Sequence, residues 1–497
     1  MPMPTTARRV GDRRRRTRYA VNPFRATKVP SPYGLHLMNR MGCGFSVRTW
    51  EQMRTAGGPS AWFEQQLNPD TVPEHPKVGY LDRWFPELFE TPAVKFTKSK
   101  VGYGYADQLS SWTMLRRIYS HRQVQETMVD FWSNHLHVTA VGGTAWVQRF
   151  HYDQTIRQHA LGRFEDLLVA CTLHPSMLLY LDNFRSVKDA PNENHGRELL
   201  ELHTVGRASG YTEQMVKDSA VILSGYRVDF RGTWEMRYNP RQHTQRPVQV
   251  LGFTHPNADA DGSAMTVDYL RYLARHPATA RTIATKLVTR FVGDYPPAAL
   301  VDRLSQVYLA AGTDIRAVLR ALVSSPEFQQ SAGQKIRTPV DDLVATARAL
   351  QVRASRPTGG RAFAHRITHQ HRSLPLYQWP RPDGAPERNA DWASAARMLS
   401  SFRMHWDLAS GSSPERDVRY RKPQRWLPRK SIRLDRYVDH LSRSLLGRRS
   451  TKTMLKAVCQ ATGYKPDEKI DRKHELARGQ FVRVAAVLLD SPQHMSR

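Results

Sequence analysis

Apolar residues recur at intervals of three and four along most of the chain from Pro32 onward. The pattern is clear in the stretches SAWFEQQL, TMLRRIYSHRQVQETMVDFWSNHLHV and RFEDLLVACTL. An α-helix brings residues with this spacing onto one face. The pattern therefore predicts a mainly α protein, with a multi-helix globular body.

One segment departs from this period. Residues 226–238, YRVDFRGTWEMRY, alternate apolar and polar side chains on either side of Arg231-Gly232-Thr233. Alternation around a short glycine-containing turn is typical of two antiparallel strands. We therefore expect a small β-hairpin near 226–238.

Length and composition predict four segments. A chain of 497 residues exceeds what one hydrophobic core usually supports. Residues 1–30 are rich in arginine, which predicts a basic disordered arm. Residues 353–390 are rich in proline, glycine and arginine, as long connections are. We expect a main helical body at 31–352 that carries the site, and a helical C-terminal part at 391–497 packed on it.

The charge of the chain is strongly positive. Lysine and arginine outnumber aspartate and glutamate by 74 to 45, a surplus of 29. Such a surface attracts polyanions, and salt weakens the attraction. Acidic polysaccharide, nucleic acid and an anionic membrane surface all fit as partners.

The cysteines and the hydropathy of the chain indicate the cellular compartment to expect. The three cysteines lie far apart, which predicts neither a disulfide framework nor a thiolate zinc site. The arginines near the start are not followed by the apolar run of a signal peptide, and no stretch reaches the roughly 18 apolar residues of a transmembrane helix. We therefore expect a cytoplasmic protein, with export alongside a partner as the alternative.

Residues 192–203, NENHGRELLELH, are unusually polar for a helix. Asn192 is a good N-cap and Gly206 a good C-terminal stop, so a helix is predicted at 193–205. One third of its circumference carries the polar set Asn194, Arg197, Glu198 and Glu201, and the leucines lie opposite.

This face has two interpretations, a solvated charged surface or a site. It contains no lysine, and it uses asparagine and arginine, which form directional hydrogen bonds. Glu198 and Glu201 are three residues apart and repel each other unless a proton or a cation lies between them. Such a pair suits acid–base chemistry or a bound metal ion.

A second polar helix is predicted in RQVQETMVDFWSNHLHV. One stripe of it carries Glu126, Asp130, Asn134 and His137. His135 falls on the opposite, apolar side, where a histidine is either a hydrogen-bonded core residue or part of a site. The partners that would favour a site, if the two helices pack together, are Glu193, Glu198, Glu201 and Asn194.

Other motifs in the sequence give weaker indications of function than the two polar helices do. HRITHQH places His365 and His369 four residues apart, which suits metal chelation but equally a basic helix end. Arginine-rich runs interleave Tyr420 and Trp426, as single-strand binding grooves do. The sequence contains no GxGxxG, GxxxxGK[ST] or GxSxG motif, which argues against an enzyme that binds a nucleotide cofactor and against a serine hydrolase.

Several segments together resemble a known bacterial family. They are FWSNHLHV, LHPSMLLYLDN, NENHGRELLELHTVGRASGYTEQMVKDSAVILSGY, HPATARTIATKLVTRFVGDYPP and DIRAVLRALVSSPEF. In this order they are similar to the family catalogued as domain of unknown function 1800, over nearly the whole chain after the arm. The resemblance implies no settled activity. Many family members are encoded beside a sulfatase-like protein with a twin-arginine export signal, which implies a sulfatase-like partner.

The resemblance also marks individual positions. The recurrent polar positions of the family correspond to Asn183, Asn192, Glu193, Asn194, Arg197, Glu198, Glu201 and His135. This chain departs from the pattern twice. His195 replaces the usual aromatic residue, and His243-Thr244 stands where histidine followed by aspartate is common, which puts in doubt any role of that aspartate.

The first hypothesis is an enzyme with a buried polar site. The expected catalytic residues are Glu198, Glu201, His135, Arg197 and Glu193, with Arg197 as the anion clamp. The expected substrate-binding residues are Asn192, Asn194, Asn183, His195, His203 and His243. If a divalent metal is the cofactor, its ligands are Glu198, Glu201 and His135. The expected substrate is an anionic polysaccharide, which is cleaved or epimerised; metal-assisted hydrolysis stays open.

The alternative is a basic helical scaffold. It would bind nucleic acid or an exported sulfatase-like partner, and the 192–203 helix would be a structural knot of ion pairs. The two hypotheses differ in geometry, because a knot buries Arg197 against both glutamates, whereas a site leaves the glutamates facing a cavity.

Overall fold

The computed structural model describes residues 19–497 except 100, 231, 372 and 374. The described part is mainly α, as the periodicity predicted. None of its helices is both long and apolar enough to cross a membrane. The predicted arm lies outside the described residues up to residue 18. Within residues 19–30, Phe24 is buried and its backbone N–H donates to Asp439 at 2.7 Å.

The helices of the first half begin close to prolines and polar caps in many cases, as at Ser31 and Thr212. They are α1 (Pro32–Arg40), α2 (Val47–Thr55), α3 (Pro59–Gln66), α4 (Val78–Trp84), α5 (Pro92–Lys98), α6 (Tyr103–Tyr119), α7 (Gln123–His135), α8 (Arg149–His159), α9 (Phe164–Thr172), α10 (Pro175–Tyr180), α11 (Glu193–Glu198) and α12 (Glu213–Ile222).

The second half of the chain is also mainly helical. Its helices are α13 (Ser263–Arg275), α14 (Pro277–Phe291), α15 (Ala298–Ala310), α16 (Ile315–Ser324), α17 (Pro326–Gln330), α18 (Pro339–Ala349), α19 (Phe363–Arg366), α20 (Asn389–Trp392), α21 (Ala395–Ser410), α22 (Leu434–Leu446), α23 (Lys452–Thr462), α24 (Phe481–Leu489) and α25 (Pro492–Met495).

The predicted hairpin is present. Strands β1 (Tyr226–Val228) and β2 (Met236–Tyr238) pair antiparallel, with Tyr226 opposite Tyr238. The described residues contain three further antiparallel pairs, which were not predicted because strands of two or three residues are too short to show alternation. They are β3 (Val248–Val250) with β4 (Phe253–His255), β5 (Arg353–Ala354) with β6 (Val418–Arg419), and β7 (Ser431–Arg433) with β8 (Lys469–Asp471).

The buried apolar residues form two clusters. The first draws on residues 35–67 and 105–328 and contains the 192–203 region. The second joins residues 78–150 to residues 340–489. Helix α18 packs against both α6 and α21, so the C-terminal part shares its core with early helices of the chain. Hydrogen bonds between Asn134 of α7 and Ala385 hold the long connection beside the end of α7.

Candidate functional site

Helix α11 ends in an unusual turn. Asn192 caps its start as predicted, and its Oδ1 accepts the Asn194 backbone N–H at 2.9 Å. After Glu198 the helix continues as a π-helical turn, Leu199–His203, instead of α-helix to residue 205. The Thr204 hydroxyl donates to the Leu199 carbonyl at 2.6 Å and closes the turn. Single π turns are rare and are often found at functional sites.

A glycine brings this helix close to its neighbour. A Cβ on Gly196 would lie 2.8 Å from the backbone nitrogen of Ala220 in α12. The Ser219 hydroxyl donates to the Gly196 carbonyl at 3.3 Å. The small residue therefore lets α11 lie directly on the backbone of α12, which fixes the position of the π turn.

Arg197 lies at the surface, where α11 and α12 meet. Its guanidinium lies 3.4 Å from Glu193 and 2.6 Å from Glu213 at the start of α12. The Glu213 side chain is 71 % exposed. Arg197 thus bridges α11 to α12 at the surface, and it is not paired with Glu198 or Glu201. The buried knot of the scaffold hypothesis is therefore not the arrangement found.

The two central glutamates differ in their partners. Glu201 is 14 % exposed, pairs with Arg207 and accepts the Tyr211 hydroxyl at 3.3 Å. Glu198 is half-buried, and among the described residues none donates a hydrogen bond to its carboxylate. Burial, followed by repulsion from Glu201, raises the pKa of Glu198. Glu198 therefore holds a proton at higher pH than an ordinary glutamate.

His135 contacts the 192–203 segment as predicted, but it does so through a backbone carbonyl and not through the side chains of Glu193, Asn194, Glu198 or Glu201. The ring is 4 % exposed, and its Nε2 lies 3.1 Å from the His203 carbonyl oxygen. Its Nδ1 lies 2.8 Å from Nζ of Lys286. Since a carbonyl only accepts, Nε2 carries the proton, and Nδ1 accepts from the lysine. Burial lowers the pKa of His135 well below its ordinary value, so the ring is neutral.

Lys286 completes this arrangement. It lies on α14 and also donates to the Leu202 carbonyl of the π turn at 3.2 Å. Burial lowers the pKa of Lys286 to about 8. Lys286 was not predicted from the sequence, because the partners expected for His135 all lay on the 192–203 segment. A general rule could have indicated such a residue: when a buried neutral imidazole donates from Nε2, its Nδ1 needs a hydrogen-bond donor.

The long connection covers this end of the molecule. His137 donates from Nε2 to the Trp379 carbonyl at 2.9 Å. Asn134 donates from Nδ2 to the Ala385 carbonyl at 2.9 Å and accepts the Ala385 N–H at 2.7 Å. The polar stripe of α7 therefore anchors residues 375–387. Asp383 of this segment adds to the electrostatic field at Glu198.

A pocket of about 180 Å³ lies between α7, α18 and this connection. Its polar lining includes Asn134, His137, Arg290 and Glu387. Arg290 is paired with Glu387 at 2.9 Å and with Asp130 at 2.7 Å. Glu198 and Glu201 do not line this pocket, so their facing a cavity stays a prediction.

The side chains of the predicted substrate-binding asparagines all donate hydrogen bonds to backbone carbonyls. Asn192 donates to the Asp182 carbonyl at 3.2 Å, and Asn194 to the Leu181 carbonyl at 3.2 Å. Asn183 is fully buried and donates to the Leu223 carbonyl at 3.0 Å. These contacts favour a role in positioning α11 and its neighbours.

The predicted histidines are buried. His243 lies between Ser224, 3.1 Å away, and the Asn257 side-chain oxygen, 2.8 Å away, which favours a structural role. His195 and His203 are fully buried, and their ring nitrogens have no hydrogen-bond partner among the described residues. Burial lowers the pKa of His195 to about 3, so that ring is neutral.

The predicted metal ligands do not form a ligand cluster. Within the described residues, Glu198, Glu201 and His135 do not bring their ligand atoms within 4.8 Å of one another, whereas Asp342, His405 and His494 do. The ring nitrogens of His135 contact the His203 carbonyl and the Lys286 amine, and neither glutamate carboxylate is among their hydrogen-bond partners. The geometry beside the π turn thus offers proton-handling groups.

Comparison with known proteins gives one match. No curated protein and no solved structure matches the chain significantly. The model of the family described as protein of unknown function, DUF1800, matches residues 36–496. That range contains α11, its π turn and Lys286. The chain therefore belongs to the DUF1800 family.

Proposed function

We propose that this protein is an enzyme that carries out acid–base chemistry on an anionic polysaccharide, with Glu198 and Lys286 as the proton-handling residues. The observation that carries the proposal is the contact of Lys286 with neutral His135 and with the π turn that follows Glu198. Burial lowers the pKa of Lys286 to about 8 and raises that of Glu198. A lysine that is partly neutral can act as a base, and a glutamate that keeps its proton can act as an acid.

Each residue has a distinct role in this proposal. Lys286 is partly neutral near pH 8 and accepts a proton from the substrate. Glu198 has no hydrogen-bond donor among the described residues and delivers a proton to the leaving oxygen or the opposite face. His135 uses both ring nitrogens and is therefore a positioning residue for Lys286.

The charge balance supports an anionic substrate. The surplus of 29 positive charges draws a polyanion to the surface. A uronate sugar suits the chemistry because its carboxylate acidifies the neighbouring C–H bond. Removing that proton leads to elimination when the glycosidic oxygen leaves. It leads to epimerisation when a proton returns from the other side.

The test is a screen of uronate-containing and sulfated polysaccharides in deuterated water. Chain shortening with a new C=C bond identifies elimination, and deuterium incorporation at constant length identifies epimerisation. We expect Glu198→Gln and Lys286→Met to abolish either product. Glu51→Gln, at an exposed glutamate on α2, is the matched control and should stay active. Full activity in both site variants would contradict the proposal.

A second candidate, the basic scaffold, has one observation in its favour. Arg197 pairs with Glu193 and Glu213, and Glu201 pairs with Arg207, so several charges of the segment are neutralised within the fold. A scaffold would bind nucleic acid or a sulfatase-like partner. It would bind equally well after Glu198→Gln, with no product formed by any variant.

A further inference from the structure

A second polar cluster lies far from the π turn in sequence. Asp342 on α18, His405 on α21 and His494 on α25 meet in the core, and all three are buried. Asp342 Oδ1 lies 3.0 Å from His405 Nε2 and 3.7 Å from His494 Nε2. The three ligand atoms lie within 4.8 Å of one another.

These separations match the edges of a tetrahedral metal site. Bonds of about 2.0–2.2 Å from Zn²⁺ to histidine nitrogen and carboxylate oxygen place neighbouring ligand atoms about 3.3–3.6 Å apart in a tetrahedron. The measured 3.0 and 3.7 Å lie on either side of that range. The two separations from Asp342 are therefore close to those of a tetrahedral site, and the two histidine nitrogens lie within 4.8 Å of each other.

The surroundings also resemble the outer shell of a metal site. Asp490 Oδ1 lies 2.7 Å from His405 Nδ1, so the ring can donate there and direct Nε2 inward. The Arg397 guanidinium lies 3.4 Å from the other Asp342 oxygen. The Thr346 hydroxyl is hydrogen-bonded to His494 Nε2 at 2.8 Å, and a bound ion would take the place of this hydrogen bond. Metal-binding histidines and carboxylates are commonly oriented by such contacts.

A histidine of the HRITHQH motif lies near the same cluster. His371 is buried, and its Nε2 has no hydrogen-bond partner among the described residues. Burial, followed by repulsion from His369, lowers the pKa of His371 to about 4, and Asp342 opposes this shift electrostatically. His371 Nδ1 is held by Ser373, 2.6 Å from its hydroxyl. His371 is thus a buried histidine that interacts electrostatically with Asp342 and lies outside the group of three ligand atoms.

We propose that Asp342, His405 and His494 bind one divalent transition-metal ion, with Zn²⁺ the best match to the geometry, as a structural site. The ion takes the place of the proton that His405 Nε2 otherwise shares with Asp342, and that proton is released to solvent. It fastens α21 and α25 to α18. This site is separate from the acid–base residues, and its test does not depend on activity.

The experiment uses the full chain after removal of metal with a chelator. Titration with Co²⁺ should give one bound ion with the intense visible absorption of four-coordinate cobalt, and Zn²⁺ should displace it. Zn²⁺ should raise the melting temperature of the wild type. His494→Gln and Asp342→Asn should weaken Zn²⁺ binding at least tenfold, since each removes a ligand. His440→Gln, at a half-buried histidine of α22 outside the cluster, should bind as the wild type does.

The opposing results are equally specific. Failure of the wild type to bind stoichiometric Co²⁺ or Zn²⁺ would overturn the proposal and leave the cluster as an ion-pair network centred on His405. Equal Zn²⁺ affinity in the wild type and His494→Gln would also overturn it. If the variants do not fold, the cobalt spectrum of the wild type decides alone, because nitrogen and oxygen ligation gives bands distinct from those of hydrated Co²⁺.

Discussion

Lys286 donates to Nδ1 of His135 over 2.8 Å, and the same imidazole donates from Nε2 to the His203 carbonyl. The contact requires an unprotonated acceptor nitrogen, so the two basic side chains do not carry positive charge together. Burial of both groups strengthens this exclusion. The protonation state of Lys286 on α14 is therefore coupled to its contacts with His135 and with the backbone of the π turn.

This contact predicts a pH dependence of stability. The pKa of Lys286 is about 8 in the folded protein and 10.5 ordinarily, so between these values the unfolded chain binds more protons. The free energy of unfolding contributed by Lys286 should therefore rise with pH from about 8 to 10.5 and be flat on either side. Urea unfolding at a series of pH values measures it. In Lys286→Met this rise should disappear; an unchanged profile would contradict the low pKa.

The partners of Glu198 predict a separation of activity from stability. Glu198→Gln should abolish activity and change the melting temperature little, because no described residue donates to this carboxylate. Leu199→Ala should cost about 2–5 kcal/mol, since Leu199 is fully buried. Thermal unfolding of both variants is the measurement. A large loss of melting temperature in Glu198→Gln would contradict this separation and indicate a structural role for the carboxylate.

Much of this region could be predicted because its signals are local. The cap at Asn192, the helix after it and the hairpin at 226–238 depend on neighbouring residues, and each is present. The prediction that His135 contacts the segment needed one further rule, that a buried polar group must find a partner. That rule holds here through the His203 carbonyl.

The rest depends on contacts that spacing does not encode. Lys286 is 151 residues from His135, and only the packing of α14 brings them together. The π turn adds a residue to a turn whose sequence fits a plain α-helix equally well. Arg197 was expected to serve as an anion clamp, but Glu213 on α12 is within its reach. Helical periodicity identifies the faces of a helix without identifying the neighbouring helix.

The charge surplus predicts salt-sensitive binding of polyanions. A surplus of 29 positive charges should retain the protein on a heparin column at low salt and release it steeply as salt rises. Removing residues 1–18 deletes seven arginines and should lower the eluting salt concentration with folding intact. Column elution and circular dichroism of both forms give the two readouts. Elution that does not depend on salt would refute the electrostatic account.

The contact between α11 and α12 predicts that Gly196→Ala is destabilising. The added Cβ would lie 2.8 Å from Ala220 N and 3.1 Å from Val216 O, and both are backbone atoms that cannot rotate away. The helices must separate, at a cost of about 1–3 kcal/mol as in other overpacked cores. Because the π turn follows directly, activity should fall as well. Denaturant unfolding and the polysaccharide assay measure the two effects.

Gly104→Ala is the control for this substitution. Gly104 lies in the first turn of α6, and a Cβ there would have no neighbour within 4 Å. Alanine should therefore leave stability unchanged or raise it by up to about 1 kcal/mol, because it restricts the unfolded chain. If Gly196→Ala is as stable and active as Gly104→Ala, α11 does not depend on its close approach to α12. The position of Glu198 would then have to be set by the contacts of the π turn alone.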